Sequence, residues 1–268
     1  MQNISQNIIY LLNKKVTQYN HIDFIENDPI SIPHQFLKKQ DIEIAAFFAA
    51  ILAWGNRKSI ITSCQRLMHL MDNSPYDFIM NIDEDDTGRM QDFEHFAHRT
   101  FNGIDAIRCM KFLQLHYQFL GEESLETAFT KGLQPNDENV ENALNTFYQY
   151  FFSKEYFPDE ESRTQKHIAA PFKKSACKRL NMFLRWMVRS DKNGVDFGIW
   201  KNIKPSQLII PMDVHVVNVS NHLGLIEHTK TSWQAAVDLT NKLKKLDAND
   251  PVKYDYALFS LGVVEGLK

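Results

Sequence analysis

The sequence predicts an all-α protein, and three observations carry that prediction. Apolar residues recur at helical spacing along most of the 268 residues. No stretch alternates apolar and polar residues over a useful strand length: Leu208-Ile209-Ile210 is short and runs into Pro211. Proline and glycine fall at the breaks between the periodic segments, as at Pro29, Gly55, Pro75, Pro158 and Gly224. With 44% hydrophobic residues the chain can bury a core, in one large domain or in two lobes.

Taken in order, residues 1–20 carry Ile8, Ile9, Leu11, Leu12, Val16 and Tyr19 at helical spacing. Asp28-Pro29 to Pro33 is an extended break, because proline restricts its own backbone and that of the residue before it. From Asp41 the chain is apolar almost all round as far as Trp54, which predicts a buried helix ending near Gly55-Asn56. An amphipathic helix follows over 57–72, and Ser74-Pro75 opens a short one. Asp83 to Asp86 reads as an acidic, solvated loop. Further helices are expected at about 104–120, 124–132 and 137–153, the last rich in Phe and Tyr, before a loop from Phe157 to Glu161. The last two helices are expected at about 231–246, with Trp233, Leu239 and Leu243, and at about 250–262, with Tyr254, Leu258 and Leu261. The apolar period gives roughly ten helices in all.

The net charge of −3 carries no global nucleic-acid signature, but the charge is uneven. Arg163 to Lys204 hold eleven Lys or Arg against two acids, a local balance of +9 that leaves −12 for the rest. A polyanion docking on one face is the natural reading. The division expected is an N-terminal helical lobe over 1–160 and a basic helical lobe over 161–268, with the first helix open to packing on the second lobe. Cys64, Cys109 and Cys177 are too few and too scattered for a disulfide framework or a metal pair, which suggests a reducing compartment. No cleavable leader pattern and no run of about twenty apolar residues is present, so a cytoplasmic protein is expected.

The chemistry concentrates between Pro171 and Leu225. Counting a helix from Ser175, Leu180, Phe183, Leu184, Met187 and Val188 make an apolar stripe, and Lys174, Lys178, Arg185 and Arg189 fall on the opposite face. Together with Arg179 they are candidate nucleic-acid contacts. After the loop, Pro211 stops any preceding helix and Asp213 stands at an N-cap, followed by Val214, Val216, Val217, Val219 and Leu223, with Gly224 as the stop. Lys178 and Asp213 thus place an amine and a carboxylate on two consecutive helix starts, a pairing that suits Schiff-base chemistry. Each residue also has an ordinary reading: Asp as a cap, Lys as a solvated side chain. His215 and His222, seven apart, are more simply surface or packing residues than metal ligands, so no metal is expected. Trp54 could stack on a base or be buried.

The stretch from Ala176 to Arg189, followed by Leu208 to Val216, closely resembles an uncharacterised bacterial family known only as a domain of unknown function. The likeness extends to Ala-Ile-Leu-Ala-Trp-Gly-Asn-Arg-Lys (50–58), His-Arg-Thr-Phe-Asn-Gly (98–103) and Asp-Pro-Val-Lys-Tyr-Asp-Tyr-Ala-Leu-Phe (250–259). More distantly, Pro-Met-Asp-Val-His-Val (211–216) resembles the segment carrying the catalytic aspartate in helix–hairpin–helix DNA glycosylases, those of archaea for oxidised guanine being closest in style. That resemblance implies a two-lobed helical fold, with Asp213 as the aspartate and Lys178 as the nucleophile of a bifunctional glycosylase and AP lyase. Duplex DNA with a damaged purine would be its substrate. It further implies DNA contacts at Asn56 and Arg57; beside it, a base pocket at Trp54 and His215, no cofactor and a monomer are expected. Three departures stand beside it: the hairpin before Lys178 contains no glycine, 35 residues separate Lys178 from Asp213, and the iron–sulfur cysteines of some members are absent. The other readings open are a nucleic-acid-binding protein without chemistry and a helical module whose basic belt meets an acidic protein.

Overall fold

The structure is a computed structural model and describes residues 4–82, 87–158 and 163–267. Regular structure among them is helical except for one two-residue antiparallel pairing, Ala97–His98 with Phe101–Asn102. Thirteen α-helices are described, of which Asp23–Glu26 and Thr87–Glu94 are not visible in the apolar period. Four residues are too few to show a period, and Thr87–Glu94 has only Met90 and Phe93 as large apolar residues. The acidic run Asp83 to Asp86 and residues 159–162 of the following loop lie outside the described residues. No helix among the described residues is long and apolar enough to cross a membrane.

The chain forms two compact units, each discontinuous in sequence. One comprises Met1–Phe24, Leu133–Asn145 and Ala169–Lys268; the other comprises Ile25–Gly132 and Thr146–Ile168. The division therefore falls inside two of the helices, α2 (Asp23–Glu26) and α9 (Glu141–Phe151).

The second unit is organised on α3 (Lys39–Leu52), buried from Ile42 onward because almost every side chain is apolar. The one buried charge of α3, Glu43, is satisfied: its carboxylate accepts from the Tyr117 hydroxyl (2.8 Å), the Ser124 hydroxyl (2.5 Å) and the Leu125 amide (3.0 Å). Against α3 pack α4 (Arg57–Leu70) and α5 (Pro75–Met80). Then come α6 (Thr87–Glu94), α7 (Gly103–Gln114) and α8 (Glu126–Thr130). The helix expected to reach residue 120 ends as α-helix at Gln114 and continues as a π-helical turn over Leu115–Phe119. Aromatic rings fill the space between elements: Phe129 stacks on Phe147 (centroids 4.0 Å, 10°), and Phe112 meets Phe151 at 4.6 Å.

The first unit holds α1 (Gln6–Tyr19), α10 (Lys178–Val188), α11 (Val214–His222), α12 (Trp233–Lys244) and α13 (Asp255–Val263). α1 packs on α13, with the Tyr254 hydroxyl donating to Asn13 Oδ1 (3.2 Å) and the Tyr19 hydroxyl to Glu265 Oε1 (2.7 Å). α11 also packs on α13, closely enough that a Cβ on Gly262 would lie 3.1 Å from both His215 Cβ and Val219 Cγ2.

Candidate active site

The loop before α10 reverses the chain without glycine. Pro171–Lys173 form a 3₁₀ turn, after which Lys174 adopts φ +60° and Cys177 φ +50°. Both lie in the left-handed region that glycine occupies at no steric cost, and a side chain there costs about 1–2 kcal/mol. The Ser175 hydroxyl accepts from the Cys177 amide (3.2 Å), closing the turn. The helix therefore starts at Lys178, three residues later than its apolar period suggests, and Lys174 sits exposed in the loop rather than on the helix.

The apolar stripe from Leu180 to Val188 is buried as its spacing predicts. The opposite face is corrected by the structure. Arg185 and Arg189 are only 4% and 2% exposed, so neither faces a polyanion. Aspartates from elsewhere in the unit cover them. Arg185 Nε lies 3.3 Å from Asp196 Oδ1, and its Nη1 is bound by Asp255. Arg189 pairs with Asp196 (2.9 Å), Asp250 (2.9 Å) and Asp191 (2.7 Å). The Tyr256 hydroxyl donates to Asp196 Oδ2 (2.9 Å), and its ring lies 4.5 Å from the Arg185 guanidinium. Burial works against the charge of Arg189, but Asp196 and Asp250 outweigh it and raise its pKa. A buried cation of this kind is held by its partners and has nothing left for phosphate.

Lys178 and Asp213 do come together. Asp213 is the N-cap of α11, and its Oδ1 accepts from the amides of His215 and Val216, both at 3.0 Å. Its other oxygen, Oδ2, stands 3.6 Å from Lys178 Nζ. The two side chains are 28% and 24% exposed, open enough to meet a ligand yet fixed in place. The cap holds the carboxylate while one oxygen remains for the amine. Near the pair in sequence, Lys174 is exposed in the preceding loop and Arg179 is half-buried, with burial pushing the Arg179 guanidinium down to about 10. That still leaves it charged at neutral pH. Val214 is 60% exposed, and His215 is exposed beside Gly262.

The remaining candidates lie in the second unit. Asn56 caps α4, its Oδ1 accepting from the Ser59 amide (3.3 Å), and is exposed. Arg57 is half-buried at the first position of that helix. Gly55 before it has φ +103°, and a Cβ there would meet Arg99 Nη1 at 2.7 Å. Trp54 is half-buried and held between two histidines: it stacks on His167 (5.5 Å, 28°) and meets His98 edge-on (5.1 Å). Part of its surface is therefore committed within the protein. His98 Nδ1 lies 2.9 Å from Ser63 Oγ. His167 Nε2 is 3.3 Å from Asp105 Oδ2, a buried carboxylate that also takes Arg163 Nη1 (2.8 Å) and the Thr164 hydroxyl (2.9 Å). Sequence reasoning assigns no role to His98, Asp105, Arg163 or His167. The signal available was His98 in the His-Arg-Thr-Phe-Asn-Gly segment and the Asn102/Asp105 pairing of a capping box. Among the described residues no cluster of three or more His, Cys, Asp or Glu could hold a metal ion.

A family profile described as "Protein of unknown function (DUF2400)" matches residues 28–264. The chain belongs to the DUF2400 family. No curated protein and no solved structure matches it. Every candidate residue above falls inside the DUF2400 match, whereas α1, one of the helices packed on α13, precedes it. The family assignment fixes no activity for this DUF2400 member.

Proposed function

We propose that this protein is a cytoplasmic DNA glycosylase with lyase activity, built on the helical plan of helix–hairpin–helix glycosylases and acting on a damaged purine in duplex DNA. The observation that carries the reading is the 3.6 Å approach of Lys178 Nζ to the free oxygen of a capped Asp213. The three cysteines are free and buried, which agrees with a reducing compartment. Lys174 and Arg179, in the same unit as the pair, would hold phosphates of the duplex. The damaged base, turned out of the stack, would lie near His215, beside the pair.

In the reaction, Lys178 as the free amine attacks the anomeric carbon, C1′. The C1′–N glycosidic bond breaks, and its electron pair leaves with the base, which takes a proton from water. Asp213 stabilises the positive charge that builds on the sugar in the transition state. The amine then loses its proton and the C1′–O4′ bond opens, O4′ taking up a proton, to give a Schiff base between Lys178 and the sugar. Loss of a C2′ proton to solvent then expels the 3′ phosphate.

The test is borohydride trapping with wild-type protein against a panel of lesion-containing duplexes. A covalent adduct and base release on at least one lesion are expected. Absence of both on every duplex overturns the enzyme, and retained salt-sensitive duplex binding would then identify a nucleic-acid-binding protein without chemistry.

A further inference from the structure

The second unit holds a hydroxyl and an imidazole that the proposed glycosylase chemistry leaves unused. Ser63 lies in the second turn of α4 and is half-buried, and His98, in the short strand pairing, is 3% exposed. Ser63 Oγ stands 2.9 Å from His98 Nδ1. Hydroxyls inside a helix often turn back on it, as Thr17 does to the Asn13 carbonyl and Thr240 to that of Ala236. Ser63 reaches across to the histidine instead. We propose that Ser63 is a nucleophile and His98 its general base, and that the pair hydrolyses carboxylic esters whose acyl part carries a negative charge.

The surroundings of His98 set the direction of the proton. Its Nε2 faces the Trp54 carbonyl oxygen at 3.4 Å, and a carbonyl only accepts, so Nε2 carries the ring hydrogen. Nδ1 is then the bare nitrogen, and the Ser63 hydroxyl donates to it. The Trp54 ring meets His98 edge-on at 5.1 Å and is itself stacked on His167, so the imidazole is held on more than one side. Burial, and after it the charge of Arg99, lower the His98 pKa, which keeps the ring neutral and able to take a proton at pH 7. Two exposed cations set the substrate class. Arg99 lies against Gly55, next to the carbonyl that orients His98, its Nη1 2.7 Å from where a Gly55 Cβ would stand. Arg66 follows Ser63 by three residues on α4, the spacing of neighbours on one helix face. In the reaction, Ser63 Oγ attacks the acyl carbon as its proton passes to His98 Nδ1. The bond from that carbon to the alcohol oxygen breaks, and the leaving oxygen takes the proton. Water then attacks the acyl-serine and gives its proton to Nδ1; the acid leaves, and Ser63 Oγ regains the proton.

This activity does not rest on the glycosylase reading, and the experiment uses no DNA. The full chain is treated with a fluorophosphonate, and modified serines are located by peptide mass spectrometry. Ser63 is expected to react roughly 10²–10⁴-fold faster than Ser59, the exposed serine one turn earlier on the same helix. His98→Asn keeps a hydrogen-bond acceptor near the Nδ1 position but no base, and should remove that advantage while circular dichroism stays unchanged. Equal labelling of Ser63 and Ser59 in the wild type overturns the proposal, as does undiminished labelling of Ser63 in folded His98→Asn. Should His98→Asn not fold, the wild-type comparison of the two serines decides alone. Turnover is then followed with 4-nitrophenyl 4-sulfobenzoate and 4-nitrophenyl benzoate, each rate taken over that of Ser63→Ala. Release of many equivalents of nitrophenol is expected, faster for the sulfonated ester, with that preference lost when Arg66 and Arg99 are both changed to Ala. A single equivalent without turnover overturns the hydrolase, and equal rates for the two esters overturn the anionic substrate.

Discussion

Asp213 meets Lys178 through the one carboxylate oxygen that its helix cap leaves unused, at 3.6 Å. Cap and charge can therefore be separated by mutation. Asp213→Asn keeps a side-chain oxygen for the α11 amides and loses the charge. The fold should persist by circular dichroism, while base excision should fall by roughly a hundredfold or more, about 2.7 kcal/mol of transition-state stabilisation. Unchanged excision would leave Asp213 as a cap alone.

Lys178→Arg keeps a cation opposite Asp213 but has no primary amine to form a Schiff base. Duplex affinity should stay within a few-fold, and the borohydride adduct should vanish. Lys174 is the rival amine, exposed in the preceding loop. If Lys174→Arg abolishes the adduct and Lys178→Arg does not, the nucleophile has been assigned to the wrong lysine.

Arg185 and Arg189 act on the fold rather than on a ligand. Arg185→Ala removes the shared partner of Asp196 and Asp255 and leaves buried carboxylates short of a cation. The expected loss is about 3–5 kcal/mol, read from urea unfolding. A variant as stable as wild type would show that these aspartates find other partners.

The left-handed loop gives a prediction of opposite sign. Lys174 holds φ +60° with an exposed side chain, so Lys174→Gly removes steric cost at the price of a more flexible unfolded chain. A net gain of about 0.5–1 kcal/mol is expected. Lys174→Ala, which keeps the Cβ, should give none. Equal effects of the two substitutions would trace the change to the lysine charge instead.

What could be read from the sequence, and what could not, divides along physical lines. α3 was legible because nearly every residue from Ile42 to Leu52 is apolar, and the start of α11 because Asp213 follows Pro211. The π-helical turn after Gln114 was not, since Leu115 to Phe119 keeps an apolar content that suits either helix. The Ala97–His98 and Phe101–Asn102 pairing is too short to alternate. Arg185 and Arg189 show the sharper limit. Periodicity places them correctly opposite the apolar stripe, yet it cannot say what covers that side, and the covering Asp250 and Asp255 lie 61 and 70 residues further on. Lys178 and Asp213 were legible as a pair of helix starts.

The seating of α1 on α13 also orders events during synthesis. The helix Gln6–Tyr19 leaves the ribosome more than two hundred residues before α13, one of the elements it packs against. The second unit, whose last residue is Ile168, is completely emerged well before α13 exists. It can close while the first unit waits, so a nascent chain halted before residue 255 would hold one finished body and a first unit still lacking α13. A truncation that spares every candidate residue from Trp54 to His215 but stops short of α13 would still leave Lys178 and Asp213 on an unfinished support.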